Sequence, residues 1–217
     1  LIRRKLGQTA HALTWPLLTK PDGSKYGKTA GGETIWLSSE KMSPYRFYQA
    51  WISVDDSEVR KLLLQLTFLS PEEIDDLVTE HDQHPENRLG QRTLAKELTT
   101  IVHGEQAAAS AAEASDLLFD PSADISAVSQ SALEFISGEV PSTQTQTIQM
   151  GIIDCLVETG LCQSRKDAKR AITEGGIYVN GERVNEADSS LTADHLLHGK
   201  YILLRRGKKL WHLLTSG

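Results

Sequence analysis

Cysteine is almost absent from this 217-residue chain: only Cys155 and Cys162 occur, seven residues apart and with no cluster of partners. Two such thiols make neither a disulfide framework nor a metal site, and they fit a reducing compartment. No run approaches the eighteen apolar residues of a membrane span, so no membrane partner is expected. A signal peptide is lacking, and so is an initial methionine. The chain opens Leu1-Ile2-Arg3-Arg4, which reads as an excised or truncated piece. The Walker arrangement, glycines first and a helix directly after, is missing too. There is no internal repeat, and no low-complexity run beyond residues 107–112.

Charge is present in both signs but unevenly. The net value of -6 covers a basic start, with six Lys/Arg against one acid over residues 1–30, and an acidic middle, with seven against twenty over 31–145. Residues 146–217 carry ten bases against eight acids, and the bases are bunched. The middle should repel phosphate, which leaves any contact with nucleic acid to local basic patches.

Near the start, Lys25-Tyr26-Gly27-Lys28-Thr29 lies between glycine-rich flanks. Two lysines three apart on a mobile loop can close over a polyphosphate and neutralise charge that builds as a phosphoryl bond breaks. A solvated turn has the same composition. Residues 11–18 read as a short buried strand, the last of an α/β domain. Ser43-Pro44 opens a helix carrying Tyr45, Phe47, Tyr48 and Trp51, an aromatic stripe expected in a core. Asp55 starts a second helix, and Ser70 with Glu73 has the form of a capping box for a third. Two more follow, over about 86–102 and 106–118, separated by Gly104. Residues 119–147 change character and end in a run without large apolar side chains, which reads as a linker or irregular crossing.

In the last segment an amphipathic helix over 148–159 precedes one capped by Ser164 and stopped by Gly175-Gly176. On that second helix Ala168, Ala171 and Ile172 face inward, while Arg165, Lys166, Lys169 and Arg170 gather outward. Asn180-Gly181 marks a tight turn. Arg205, Arg206, Lys208 and Lys209 crowd a hairpin tip between apolar strands. Bases on one side of two short helices and a small sheet suit the backbone and shape of structured RNA rather than base reading of DNA. A plain solvated helix face is the competing reading. His195, His198 and His212 have no metal-ligand spacing, so no protein metal site is expected.

Three stretches carry a family resemblance: residues 25–29, the run Ser43-Pro44-Tyr45-Arg46-Phe47-Tyr48-Gln49, and Val102-His103-Gly104-Glu105. The chain resembles the C-terminal half of a bacterial-type tyrosyl-tRNA synthetase, a class I aminoacyl-tRNA synthetase. Lys25 to Thr29 is similar to the family's version of the class signature, with Tyr26 where phenylalanine is usual. Residues 150–184 look like the RNA-binding module shared with ribosomal protein S-four. The fold class so implied is α and α+β. A remnant of a Rossmann-like catalytic domain with its signature loop (1–42) would be followed by an all-helical anticodon-binding domain (43–118), a linker (119–147) and a small α+β RNA-binding module (148–217).

The resemblance implies ATP-dependent activation of L-tyrosine to tyrosyl-adenylate, then transfer to tRNA(Tyr), in a cytoplasmic homodimer. Lys25 and Lys28 would hold the ATP phosphates, Mg2+ would arrive with ATP, and Thr29 would anchor the loop or a phosphate. It also implies that the earlier catalytic half lies outside the chain, so the piece alone is expected to be inactive. The alternative is a non-catalytic RNA-binding protein of ribosomal or RNA-modification type. Such a protein has no need of the loop at 25–29.

Overall fold

A computed structural model describes residues 2–14, 17–19, 23, 26, 34–120, 123–146 and 148–217. The chain divides into two units, Leu1–Trp36 and Leu37–Gly217. In the first, α1 (Ile2–Leu6) buries no residue. Residues 7–14 have no regular structure, and Leu13 is 95% exposed. The strand expected over 11–18 is therefore absent among the described residues. An apolar run forms a strand only where neighbouring strands take up its backbone donors and acceptors. A bridge at Thr19 and the Tyr26 N–H donated to Leu18 O at 3.3 Å are what the described residues here provide.

The second unit begins with helices whose starts are written locally. The Ser43 hydroxyl accepts the Arg46 N–H at 3.2 Å and Pro44 occupies the first turn of α2 (Pro44–Ile52). Asp55 caps α3 (Asp56–Leu66). Ser70 and Glu73 close a reciprocal capping box on α4 (Pro71–Gln83), at 2.7 and 3.2 Å. Then come α5 (Leu89–His103) and α6 (Glu105–Phe119), with Gly104 between them.

Tyr45, Phe47, Tyr48 and Trp51 are all buried, as a core stripe should be. Alanines 108, 111 and 114 of α6 are fully buried, and their small side chains let neighbouring helices approach closely. Arg92 of α5 reaches Asp116 of α6 at 2.5 Å.

Residues 119–147 are more than a linker. A short 3-10 turn at Ile125–Ala127 leads to α7 (Gln130–Ser137), which buries Ala132, Leu133 and Ile136. Next is β1 (Ser142–Thr145), which pairs in parallel with the last strand. No apolar alternation announces β1; it forms because the edge of a sheet offers unpaired backbone groups.

The remaining chain gives β2 (Met150–Gly151), α8 (Ile152–Glu158), α9 (Arg165–Thr173), β3 (Ile177–Val179), β4 (Glu182–Arg183), β5 (Ser190–Leu191), β6 (Tyr201–Arg206) and β7 (Leu210–Ser216). The main sheet runs β1-β7-β6-β3-β4, antiparallel except for β1, and β2 pairs with β5 apart from it. Ile202, Leu204 and Leu214 on one sheet face pack with Ile152, Leu156, Ala168 and Ile172 of α8 and α9. That core presents the basic side of α9 outward.

Candidate nucleic-acid interface

Helix α9 is held at both ends by local chemistry. Ser164 accepts the Asp167 N–H at 3.2 Å. At the other end Gly175 N–H donates to Ile172 O and Gly176 N–H to Ala171 O, both at 2.8 Å, which is a Schellman closure. Gly175 has φ +71°, and a Cβ there would fall 1.4 Å from the Arg183 guanidinium. Between these ends Arg165, Lys166, Lys169 and Arg170 are all exposed. They are not equivalent. Arg165 pairs with Asp154 at 3.1 Å and Arg170 with Asp167 at 2.9 Å. Among the described residues, neither Lys166 nor Lys169 has an acidic partner.

The hairpin of β6 and β7 divides its bases differently from a single cluster. Successive strand residues point to opposite faces, so Arg205 and Arg206 part company. Arg206 turns toward α9 and donates to Asp167 through both terminal nitrogens, at 2.8 and 2.9 Å, and to Leu161 O at 2.8 Å. Its donors hold the hairpin to the helix. The same contacts, with the Gln163 N–H, draw the Asp167 carboxyl down to about 2.

Arg205 instead lies in register with Tyr178 of β3 and Trp211 of β7. Its guanidinium stacks over both rings, 4.1 Å from the Tyr178 centroid and 5.2 Å from that of Trp211. A stacked guanidinium is fixed in orientation and keeps its in-plane donors for an anion. This row borders a cavity of about 480 Å³, shared with Leu117–Asp120 at the end of α6. Lys208 and Lys209 are exposed at the tip, again without an acidic partner among the described residues.

Of the eight bases expected to meet RNA, four are open toward the described residues: Lys166, Lys169, Lys208 and Lys209. Arg165 and Arg170 are exposed but paired, Arg205 is stacked, and Arg206 is committed to the fold. Sequence reasoning assigned no role at this surface to Tyr178, Trp211, Asp154 or Asp167. The two aromatics could have been found from the period-2 register of three strands; the acids needed the helix packing. Burial pushes the Cys155 thiol up to about 12 and raises that of Cys162, so neither is poised as a nucleophile. The loop residues Lys25, Lys28 and Thr29 lie outside the described residues. Among the described residues no cluster of three or more His, Cys, Asp or Glu is placed to hold a metal ion. None of the described helices is long and apolar enough to cross a membrane.

Comparison with known proteins matches residues 1–120 to the family of tRNA synthetases class I (W and Y). Residues 132–214 match the tyrosine–tRNA ligase SYY-like C-terminal domain. The tyrosine–tRNA ligase of Geobacillus stearothermophilus is 45% identical over 215 residues, covering 99% of this chain and 51% of that protein. The one from Opitutus terrae is 43% identical over 216 residues, covering 97% and 50%. The chain therefore spans about half the length of the curated relatives it matches. Among solved structures, a C-terminally truncated mitochondrial tyrosyl-tRNA synthetase of Coccidioides posadasii is 35% identical over 42% of this chain and 25% of that one, with a TM-score of 0.38. The solution structure of a tyrosyl-tRNA synthetase C-terminal domain is 34% identical over 44% of this chain and 97% of that one, with a TM-score of 0.37.

These matches correct three expectations. The class I match does not stop at residue 42 but continues through α2–α6 to residue 120. Residues 1–42 are therefore not a remnant set against a separate helical domain, and the fold is a class I region followed by an α+β tyrosine-type domain. The resemblance to a C-terminal half alone gives way to matches in both regions. The expected inactivity, which rested on a missing catalytic half, falls with it, because the class I match occupies more than half of this chain. The edge expected at residue 43 has a local cause. Ser43-Pro44 is a strong helix start, and a change of local structure reads as a domain edge even where one family region continues across it.

Proposed function

Since the chain belongs to the class I tRNA synthetases of the tryptophan and tyrosine type, we propose that it serves tyrosine–tRNA ligation. ATP and L-tyrosine give tyrosyl-adenylate, and the tyrosyl group then passes to tRNA(Tyr). Tyrosine is favoured over tryptophan by the tyrosine-type match of residues 132–214 and by Tyr26-Gly27 between the two lysines. In this reading Lys25 and Lys28 hold the β- and γ-phosphates of ATP, which brings Mg2+ with it, and Thr29 anchors the loop through its hydroxyl. The lysines act by binding the charge of the transition state better than that of the ground state, with no protein nucleophile.

Lys166, Lys169, Lys208 and Lys209, with Arg165, Arg170 and Arg205, meet the tRNA backbone. Arg206 supports them by holding α9 against the hairpin. The partners are tRNA(Tyr) and, in a homodimer, a second copy of the chain; the compartment is the cytoplasm.

One observation carries this reading: a class I match and a tyrosine-type match lie in order on one polypeptide. A non-catalytic RNA-binding protein would have no use for the first. The test compares binding of tRNA(Tyr) with that of another tRNA bearing a long variable arm. Preference for tRNA(Tyr) is expected, and equal binding would confine the surface to general RNA affinity. In a ligase carrying these residues, Lys28→Ala should slow single-turnover adenylate formation more than it weakens ATP binding. An unchanged rate would refute the role of the loop.

A further inference from the structure

Of the four arginines expected to meet RNA, three have an acidic partner: Arg165 has Asp154, and Arg170 and Arg206 share Asp167. Arg205 has none among the described residues. Its Nε is buried with no acceptor, and no hydrogen bond to a described residue engages its terminal nitrogens. What holds it is a pair of rings. Tyr178 stands opposite Arg205 on β3 and Trp211 stands opposite it on β7, so the three side chains share the sheet face turned away from α8 and α9. The order Tyr178, Arg205, Trp211 is a row of flat groups with the cation in the middle.

The row is set by the fold before any ligand arrives. Its three strands are neighbours in the main sheet. Beyond Arg205, the Gly207 N–H donates to Gly176 O at 2.7 Å, and Arg206 donates from the other sheet face to Asp167 at 2.8 and 2.9 Å. Both contacts tie the hairpin tip to α9 and to the turn that ends it.

The outer end of the row is open. Trp211 is half-buried, Leu210 beside it is 56% exposed, and nothing stands within 4 Å of where a Cβ of Gly207 would be. Lys208 lines the same cavity of about 480 Å³ as Arg205 and Trp211. A half-open indole set among cations, with bare backbone next to it, fits a flat ring that carries negative charge close by. A nucleotide has both. In a duplex the base faces are already covered by their neighbours, so only an unpaired nucleotide can offer one.

We propose that Trp211 is a nucleobase-contact residue. The base of one unpaired nucleotide stacks on its open face and extends the row of Tyr178, Arg205 and Trp211 by one layer, while Arg205 and Lys208 donate to that nucleotide's phosphate. The proposal rests on the RNA-binding reading above and adds to it a single-stranded position, which lysines on a duplex backbone do not require. Every group it uses belongs to the terminal module, so it needs no contact from the helical region. Stacking neutralises no phosphate, so its contribution is independent of salt, whereas that of the lysines is not.

The test uses the whole chain with two RNAs, a stem–loop carrying 2-aminopurine in its loop and a blunt duplex of the same stem, each titrated at several salt concentrations. Trp211→Leu should weaken stem–loop binding about tenfold, with an unchanged salt slope and unchanged duplex binding, and Trp211→Phe should restore most of the loss. Lys208→Gln should instead lower the slope. The 2-aminopurine fluorescence should be quenched on binding to the unaltered chain and to Trp211→Phe, but not to Trp211→Leu. Duplex affinity that falls together with stem–loop affinity in Trp211→Leu would overturn the proposal, by reducing Trp211 to a support for Arg205. Unchanged stem–loop affinity or absent quenching would overturn it too. An unaltered chain that binds neither RNA would sink the RNA reading itself; one that binds both alike and without quenching would sink the stacking alone.

Discussion

Replacing Lys166 and Lys169 by glutamine should flatten the salt dependence of RNA binding far more than replacing Arg165 and Arg170. All four lie on the exposed side of one helix, and each double variant removes two charges. Each phosphate neutralised by an open cation releases about 0.7 to 0.9 of a counterion, so two lysine contacts account for a log–log slope of about 1.4 to 1.8. The arginines begin from ion pairs, at 3.1 Å to Asp154 and 2.9 Å to Asp167. Exposed pairs of this kind are worth about 0 to 1 kcal/mol, so the guanidinium can leave. When Arg165 does, the abandoned Asp154 carboxylate takes a cation from solution, and this uptake offsets the ion released from the RNA; Asp167 keeps Arg206 when Arg170 leaves, so no such uptake follows there.

The arginine pair should therefore contribute a slope of about 1 or less. Lys208→Gln with Lys209→Gln should behave like the α9 lysines, and all four lysine changes together should remove a slope of about 3, roughly a thousandfold in affinity over a tenfold change of salt. Fluorescence anisotropy with a labelled tRNA transcript, titrated at several salt concentrations, measures this directly. Equal slope losses for the lysine and arginine doubles would refute the division between open and paired cations.

Two further outcomes concern α9. Gly175→Ala should lower stability to urea by about 1 to 2 kcal/mol, the cost of a left-handed backbone for an L side chain. The Arg183 guanidinium would have to vacate the Cβ position. Gly176→Ala, whose Cβ would stand 3.4 Å from Ala171 O, is the control, and equal midpoints for the two variants would contradict the account. Asp167 titrates near 2 in the fold against an ordinary 3.8, so the native state favours its ionised form. That stabilisation is complete above about pH 4 and is lost as pH falls toward about 2. Asp167→Asn should remove this part of the acid limb, and urea midpoints that fall between pH 5 and pH 2 as steeply as those of the parent would count against it.

Much of the local structure was legible because its causes are local. Ser43-Pro44, the Ser70–Glu73 box, Ser164 and Gly175-Gly176 satisfy helix-end donors and acceptors within a few residues, so their meaning survives without tertiary context. The outward bases of α9 were legible for the same reason, since Ala168, Ala171 and Ile172 define the inward face at helical spacing. The apolar run over 11–18 misled, because hydrophobicity alone supplies no strand to pair with. Residues 142–145 misled in the opposite way: Ser-Thr-Gln-Thr has no apolar alternation, yet pairs with β7 at the sheet edge.

The hairpin bases show the limit most clearly. Four cations in five residues look alike in one dimension. The pleat sends Arg205 between Tyr178 and Trp211 and Arg206 onto Asp167, some forty residues earlier in the chain.

The order of residues by itself determined the helix caps, the basic face of α9 and the tight turn at Asn180-Gly181, because each depends on neighbours within one or two turns of chain. Only the tertiary structure decided which cations remain open, and that Arg205 lies between Tyr178 and Trp211. Both depend on which distant groups come within hydrogen-bonding or van der Waals distance, and that is settled by how the helices and sheet pack.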